Sequence, residues 1–483
     1  MPSDSPARLA RVPHQVRHVH LVGVAGTAMA ALALMLADRG YRVTGSDSQF
    51  YEPTASLLKG SRVELLHGFS GGNLSPAPDL AVIGNVIQRA NPEAGALLES
   101  SIPYLSMPEA LWHFFLKDRR VLMVAGTHGK TTSTALMAQT LVAMRRDPSM
   151  LVGGVGKNFG SNYRLGSGED FVIEGDEYDT AFFDKGPKFL HYHPQGAIIT
   201  SVEFDHADIY RDLEHVKSSF RALAEQMDES RVLVVCADYR NALDAVEHTR
   251  ARCVTYGLDS GDYRAGGIRV DASGGHFEIS RDGITLAADI LLPTAGRMNV
   301  ANALGVFALL HELGLDPTEI ARAIGTFRGV VRRQEIIGEA AGVTVIDDFA
   351  HHPTAIRVTL DALAERFAGR RILAAFEPRS NTSRRNVFQD SFGDAFGRAS
   401  RVYLAPVFFK ESVPVPANER LDTSRLAETI RGHGPEAFAC ESNHEILSRM
   451  VADARAGDVA VFMSNGPFDG LKERFLAEMK KRA

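Results

Sequence analysis

Cysteine is scarce in this chain of 483 residues: only Cys236, Cys253 and Cys440 occur, with no metal-ligand spacing among them. Three isolated thiols exclude a disulfide-stapled scaffold and read as core or incidental groups in a reducing compartment. Long hydrophobic runs are also missing. No apolar stretch approaches the roughly eighteen residues that a membrane span requires, so none is expected. Residues 1–17 contain Arg8, Arg11 and Arg17 but no apolar core of signal-peptide length, and read as a loose leader on a cytoplasmic protein. A formal net charge of −6 and the lack of any basic run exclude a dedicated nucleic-acid binder. Hydrophobic content of 45% and charged content of 23% are those of a globular protein, with length for about three domains.

What the sequence does have is a phosphate receptor. Five apolar residues, 121–125, run straight into Gly126-Thr127-His128-Gly129-Lys130-Thr131-Thr132, and a helical stretch follows from Ser133. A buried strand, a short glycine loop and a helix N-terminus aim several backbone N–H groups at one point, which suits a phosphate chain. Lys130 supplies a point charge for the β and γ phosphates, and the Thr131 hydroxyl can ligate magnesium. Val124 stands where the longer form of such loops has its first glycine, so this loop is shorter. The expected ligand is a nucleoside triphosphate, ATP.

A second nucleotide-like unit lies near the N-terminus. Residues 18–23 read as a strand, Gly23-Val24-Ala25-Gly26-Thr27-Ala28 as the turn into a helix, and 41–47 as a strand ending in Asp47. An acidic residue there is placed to meet a ribose hydroxyl. The glycine fingerprint is degraded, since Ala25 and Ala28 replace expected positions, so a nicotinamide dehydrogenase is a weak reading. A diphosphate of a different nucleotide-linked ligand is the stronger one. Strands are expected at 80–84, near 103–106, and again at 170–174, 196–201 and 231–236, with a helix over 214–227. Such alternation argues for a mostly parallel sheet. Between 253 and 292 the pattern becomes β-like, with turns at Gly266-Gly267, Gly274-Gly275 and Asp282-Gly283, predicting an antiparallel flap. Beyond Arg332-Arg333 strands and helices alternate again, through 343–347, 353–366, 371–376, 401–405 and 458–463.

Acidic and histidine motifs belong with the phosphate loop. Glu174-Gly175-Asp176-Glu177-Tyr178-Asp179 closes one expected strand, and Glu203-Phe204-Asp205-His206-Ala207-Asp208 follows another. Carboxyl ends of parallel strands are where ligands bind, and Glu174 is the candidate magnesium ligand. His206, among carboxylates, suits a second metal or a phosphate.

Together with Gly296-Arg297-Met298-Asn299-Val300-Ala301-Asn302, Arg332-Arg333 and Asp347-Asp348-Phe349-Ala350-His351-His352-Pro353, these motifs resemble the Mur ligases, in that family's order and over nearly the whole chain. The resemblance implies an α/β fold of three domains: a Rossmann-like UDP-sugar-binding domain over 18–118, a central phosphate-loop ATPase domain over 119–331, and a C-terminal α/β domain over 332–483 that brings the amino-acid or peptide substrate. It implies ATP and magnesium, with Lys130, Glu174 and His206 as the catalytic set and Gly126 through Thr132 around the phosphates. Thr131 and Glu174 would serve one magnesium and His206 a second. Asn299 would meet the adenine region, Arg332 or Arg333 the phosphates, and Asp347 or Asp348 the ribose. Gly23, Gly26, Thr27 and Asp47 would hold the UDP-sugar. Many members carry a carbamylated lysine some fifteen residues after the magnesium histidine; that position is Arg221, and nearby Lys217 reads as a solvated helix charge.

Within the family the motifs resemble the branch that uses UDP-N-acetylmuramate. Members adding L-alanine typically show Phe-Gln-Pro-His-Arg-Tyr where this chain has Phe376-Glu377-Pro378-Arg379-Ser380-Asn381. That replacement, Ser464-Asn465-Gly466-Pro467, and 178–185 look instead like members adding the murein tripeptide L-alanyl-γ-D-glutamyl-meso-diaminopimelate in peptidoglycan recycling. Arg379, Asn381 and Ser464 are the candidate peptide contacts. No nucleic acid, membrane or obligate protein partner is implied.

Overall fold

The computed structural model describes residues 5–52, 54–410 and 413–482, so the first four residues of the expected leader lie outside it. The chain divides into two compact units: residues 1–202, 214–256 and 305–323 form one, and residues 203–213, 257–304 and 324–483 the other. No helix among the described residues is long and apolar enough to cross a membrane.

The first unit contains a five-stranded, all-parallel sheet in the order Val63–His67, Arg42–Asp47, His18–Val22, Leu80–Ile83, Tyr104–Ser106. The strand order reverses beside His18–Val22, so the turn after it opens at the edge where α/β sheets take ligands. Gly23 there has φ +86°, a left-handed conformation that costs glycine little. The helix Thr27–Asp38 follows it, buried along Met29 to Ala37.

The other sheet of this unit carries the phosphate loop. Its strands run Arg252–Gly257, Val232–Cys236, Gly196–Ile199, Arg120–Ala125, Asp170–Gly175, Ser149–Gly156, Ser161–Arg164. All these pairings are parallel except the last. Register fixes the site: Val124 pairs with Glu174, and Ala125 pairs with Gly175 on one side and Ile199 on the other. Both neighbours therefore end level with the loop. The four strands Val232–Cys236, Gly196–Ile199, Arg120–Ala125 and Asp170–Gly175 are buried almost throughout and read as apolar runs, so the sequence shows them, whereas Ser149–Gly156 and Ser161–Arg164 were not foreseen and Arg252–Gly257 is a parallel strand of this sheet rather than part of the expected flap.

Two further elements of this unit correct the sequence reading. The leader is not loose: Ser5–Leu9 is a short helix, and Arg8 reaches Glu109 Oε1 at 2.8 Å and Asp184 Oδ2 at 3.3 Å. Residues 179–187 form an unforeseen hairpin, Asp179–Ala181 against Asp184–Pro187. Its tip, Phe182 and Phe183, packs against the apolar cluster of Val22, Ile83 and Ile87.

In the second unit the expected flap is a meander of Tyr263–Asp271, Gly274–Arg281 and Ile284–Leu292. Gly266-Gly267 is not a turn, however. It lies inside the first of these strands, where the register slips between Gly266 and Arg269. Glycine in a strand marks such bulges as readily as turns. The C-terminal sheet runs Glu335–Ala340, Val343–Asp348, Val459–Met463, Ile372–Phe376, Arg401–Leu404, Glu436–Ala439, parallel but for the first pair. One face buries Ile346, Phe376 and Phe392, and the other Val345, Phe462 and Phe475.

Candidate active site

The loop between Ala125 and Lys130 is shaped by its own backbone. Gly126 has φ +132°, and a Cβ there would lie 2.2 Å from Thr200 Oγ1. Only glycine lets the loop cross so close to the end of the neighbouring strand. Thr127 N donates to Ser201 O at 2.9 Å, and His128 N to Ser201 Oγ at 2.9 Å. Gly129, at φ +81°, turns the chain into the helix Lys130–Ala143 without a side-chain cap.

Lys130 is nearly buried, and its ammonium donates to Gly126 O at 2.5 Å, Thr127 O at 3.3 Å and Glu177 Oε1 at 2.9 Å. Burial alone would lower its pKa; the negative charges of Glu177 and Glu174 outweigh that and raise it. The lysine stays charged. Glu177 has no role legible in the sequence, because its pairing with Lys130 across 47 residues follows from the alignment of neighbouring strands.

Thr131 Oγ1 donates to Glu174 Oε1 at 2.9 Å, and Gly153 N to Glu174 Oε2 at 2.7 Å. Burial holds the Glu174 carboxyl above its ordinary range, although Lys130 and these hydrogen bonds pull the other way. A hydroxyl and an expensive buried carboxylate side by side are a hard-oxygen donor set whose cost a divalent cation would relieve, so the residues fit magnesium. Beside them Asp176 is held at about 2: burial pushes it up, but the Lys188 ammonium, 2.6 Å away, prevails.

In the N-terminal turn Gly23 N donates to Ser46 O at 2.9 Å and Ala25 N to Asp47 Oδ2 at 3.0 Å. Asp47 therefore braces the glycine turn. Gly26 is the N-cap of the following helix, with no side-chain cap, and Thr27 is its first residue. Lys217 departs from expectation: it is not a solvated charge but largely buried, paired with Asp244 at 3.1 Å.

His206 belongs to the second unit, as do Asn299, Arg332, Arg333, Asp347, Arg379, Asn381 and Ser464. His206 has φ +56° and its backbone N donates to Asp205 Oδ1 at 2.7 Å. Burial raises the Asp205 carboxyl, but His206, His351 and His352 around it bring it well below the usual range. Thr354 Oγ1 donates to Glu203 at 2.7 Å, and Asn381 Nδ2 to Asp208 at 2.7 Å, so the 203–208 motif is stitched to the start of the helix Pro353–Arg366 and to the turn at Asn381.

Asp347 is already engaged, by Lys472 and by Arg332 Nε at 3.3 Å; Lys472 had no signal in the sequence. Asp348 accepts Gln334 N at 2.7 Å and Ala350 N at 2.8 Å, which makes it a buried backbone brace. Arg332 also donates to Ser464 O at 2.6 Å and Gly466 O at 2.5 Å. Arg333 lies over the Phe349 ring. Asn299 is buried and donates to Ala295 O at 2.7 Å.

Of the candidate peptide residues, Arg379 and Ser464 meet at Glu377, whereas Asn381 bonds Asp208 and is not brought to them. Ser464 Oγ donates to buried Glu377 at 2.5 Å, Arg379 approaches Glu377 at 3.5 Å, and its guanidinium covers Phe408 at 3.7 Å. A Cβ on Gly466 would strike the Arg379 side chain at 2.1 Å, so that glycine makes room for the arginine.

A phosphate loop on a parallel sheet, a second glycine turn on a separate parallel sheet, and a C-terminal α/β sheet define a modular nucleotide-dependent enzyme. The chain belongs to the Mur ligase family, whose enzymes are ATP-dependent ligases forming C–N bonds: it matches the Mur ligase family catalytic domain at residues 18–119, the middle domain at 124–310 and the glutamate ligase domain at 332–466. It is 37% identical, over 96% of its length and 99% of the relative's, to the UDP-N-acetylmuramate–L-alanyl-gamma-D-glutamyl-meso-2,6-diaminoheptandioate ligase of Escherichia coli. It is 35% identical to the UDP-N-acetylmuramate–L-alanine ligase of Rubrobacter xylanophilus, covering 95% of this chain and all of that one. The crystal structure of a murein peptide ligase from Psychrobacter arcticus superimposes with a TM-score of 0.70 at 32% identity, covering 96% of this chain and 99% of that one.

Proposed function

We propose that this protein joins UDP-N-acetylmuramate to L-alanyl-γ-D-glutamyl-meso-diaminopimelate, converting ATP to ADP and phosphate. The observation that carries the choice of amine is the Glu377, Arg379 and Ser464 group, built from the two motifs whose resemblance is to the tripeptide-adding members. Near full-length likeness to the Escherichia coli tripeptide ligase supports it.

The work divides among residues 18–118 for the UDP-sugar, 119–331 for ATP and 332–483 for the peptide. Gly23, Gly26, Thr27 and Asp47 receive the UDP-sugar, with Asp47 already bracing the turn. Gly126 through Thr132 wrap the ATP phosphates, and a phosphate oxygen takes the place that Glu177 holds on Lys130. Thr131 and Glu174 would hold one magnesium and His206 a second. When bound, magnesium supplies positive charge against that gathering on the transferring phosphoryl group. Asn299 serves the adenine, Arg332 or Arg333 the phosphates, and Asp347 the ribose, which it shares with Lys472.

The muramoyl carboxylate oxygen attacks the γ-phosphorus, and ADP departs with the electron pair of the broken anhydride bond. The peptide's α-amine then attacks the acyl carbon. The C–O bond to phosphate breaks, phosphate leaves with that pair, and the amine loses its proton to give the amide. Lys130 contributes by position and charge rather than by proton transfer.

The test supplies UDP-N-acetylmuramate and ATP with either L-alanine or the tripeptide and follows phosphate release. Stimulation by the tripeptide, with alanine near background, is expected. Preference for alanine would make the chain a biosynthetic alanine-adding ligase.

A further inference from the structure

The cavity that reaches Glu174 has two further charged side chains, Asp176 and Lys188, to which the reaction above gives no task. Its volume is about 270 Å³, and it is lined by Gly26, Thr27 and Asn85 on one side and by Glu174, Asp176 and Lys188 on another. At that size it holds one end of a nucleotide-sugar rather than the whole molecule. The N-terminal glycine turn and the magnesium-ligand candidate share this cavity, so it is where the acid end of such a ligand would meet the phosphate chain.

Lys188 is the one cationic side chain among the described residues lining the cavity, whereas Glu174 and Asp176 are anionic. It is 7% exposed, and one of its three N–H donors goes to Asp176 at 2.6 Å. Among the described residues this ammonium makes no other hydrogen bond; its remaining contact is with the Tyr178 ring, 5.8 Å from the centroid. Its backbone is held tightly: Lys188 N donates to Tyr178 O at 3.1 Å, and Phe189 N to Asp176 O at 3.3 Å. The hairpin just before it is anchored by Phe182 and Phe183 in the N-terminal apolar cluster. A charged donor is thus fixed in a confined space with bonding capacity to spare.

We propose that Lys188 is a positioning residue for the substrate carboxylate, donating to the acid group of the sugar-linked ligand and holding it beside Glu174. A carboxylate brought between Glu174 and Asp176 meets repulsion from both, and Lys188 supplies the local countercharge. This rests on the reading that the substrate is UDP-N-acetylmuramate. A purely structural Lys188–Asp176 pair would stabilise the hairpin without distinguishing one UDP-sugar from another.

Titration calorimetry of wild type, Lys188→Met and Lys188→Arg with UDP-N-acetylmuramate and with UDP-N-acetylglucosamine, which lacks the lactyl carboxylate, separates the two. Lys188→Met is expected to weaken the acid ligand about tenfold or more and to leave the other within about twofold, with Lys188→Arg recovering most of the loss. Equal weakening of both ligands, or of neither, overturns the role given to Lys188. Wild-type protein that binds neither UDP-sugar overturns the functional reading itself. Loss of folding in Lys188→Met, seen by circular dichroism, transfers the comparison to Lys188→Gln, which keeps a hydrogen-bond donor without the charge. There selective weakening of the acid ligand supports the proposal, and equal weakening of both ligands, or of neither, counts against it.

Discussion

Glu174 occupies an unfavourable place for a negative charge, and that makes it measurable. Its pKa in the folded protein lies above the ordinary carboxylate value, chiefly through burial. The sign follows from linkage: the folded state holds the proton more tightly, so relative stability is present at low pH and is lost as pH rises from about 4.5 toward the raised value. Glu174→Gln removes this loss. In EDTA its melting temperature should exceed that of wild type at pH 8 by more than at pH 5, while phosphate release falls by about a hundredfold or more. A variant less stable than wild type at both pH values would show that the carboxylate supports the fold rather than a metal. At this scale the convergence of Lys130, Thr131 and Glu174 was legible because a strand, a short glycine loop and a helix start impose a local order of residue types. Glu177, Lys188 and Lys472 were not, since each acquires its partner through register or through a hairpin rather than through neighbours in sequence.

The decisive element is the loop on the central strand. Its apolar run, glycines and helix start could be read directly, and the strand Arg120–Ala125 and helix Lys130–Ala143 fall where the pattern placed them. Its closeness to Thr200 and Ser201 could not, because strand order within a parallel sheet leaves no mark on a single sequence. Gly126→Ala should expose that packing. The added methyl meets Thr200 Oγ1 at 2.2 Å and Ser201 backbone at 2.9 Å, at a φ few L-residues adopt. Strain on the order of 1–3 kcal/mol is expected, and with it ADP affinity lower by about tenfold or more in a folded protein. ADP titration showing affinity within twofold of wild type would mean that the loop is not what holds the phosphates. Short strands were the hardest to foresee. Asp179–Ala181 has three residues, too few for alternation to register, and the Gly266-Gly267 pair carried the same signal whether turn or bulge.

On the scale of the whole molecule, the α/β architecture was legible, because glycine-bearing turns follow the strands His18–Val22 and Arg120–Ala125 of the first two sheets, and alternation of strands and helices restarts beyond Arg332-Arg333. The family matches at 18–119, 124–310 and 332–466 span these stretches, although contact density divides the chain into two units. If the sugar acid is activated as an acyl phosphate, UDP-N-acetylmuramate labelled with oxygen-18 in its carboxylate must, on ligation to the tripeptide, pass one labelled oxygen to inorganic phosphate. Mass spectrometry of the released phosphate is predicted to show one labelled atom per amide formed, with ADP unlabelled. Label in AMP, or amide formed with unlabelled phosphate, would contradict the account.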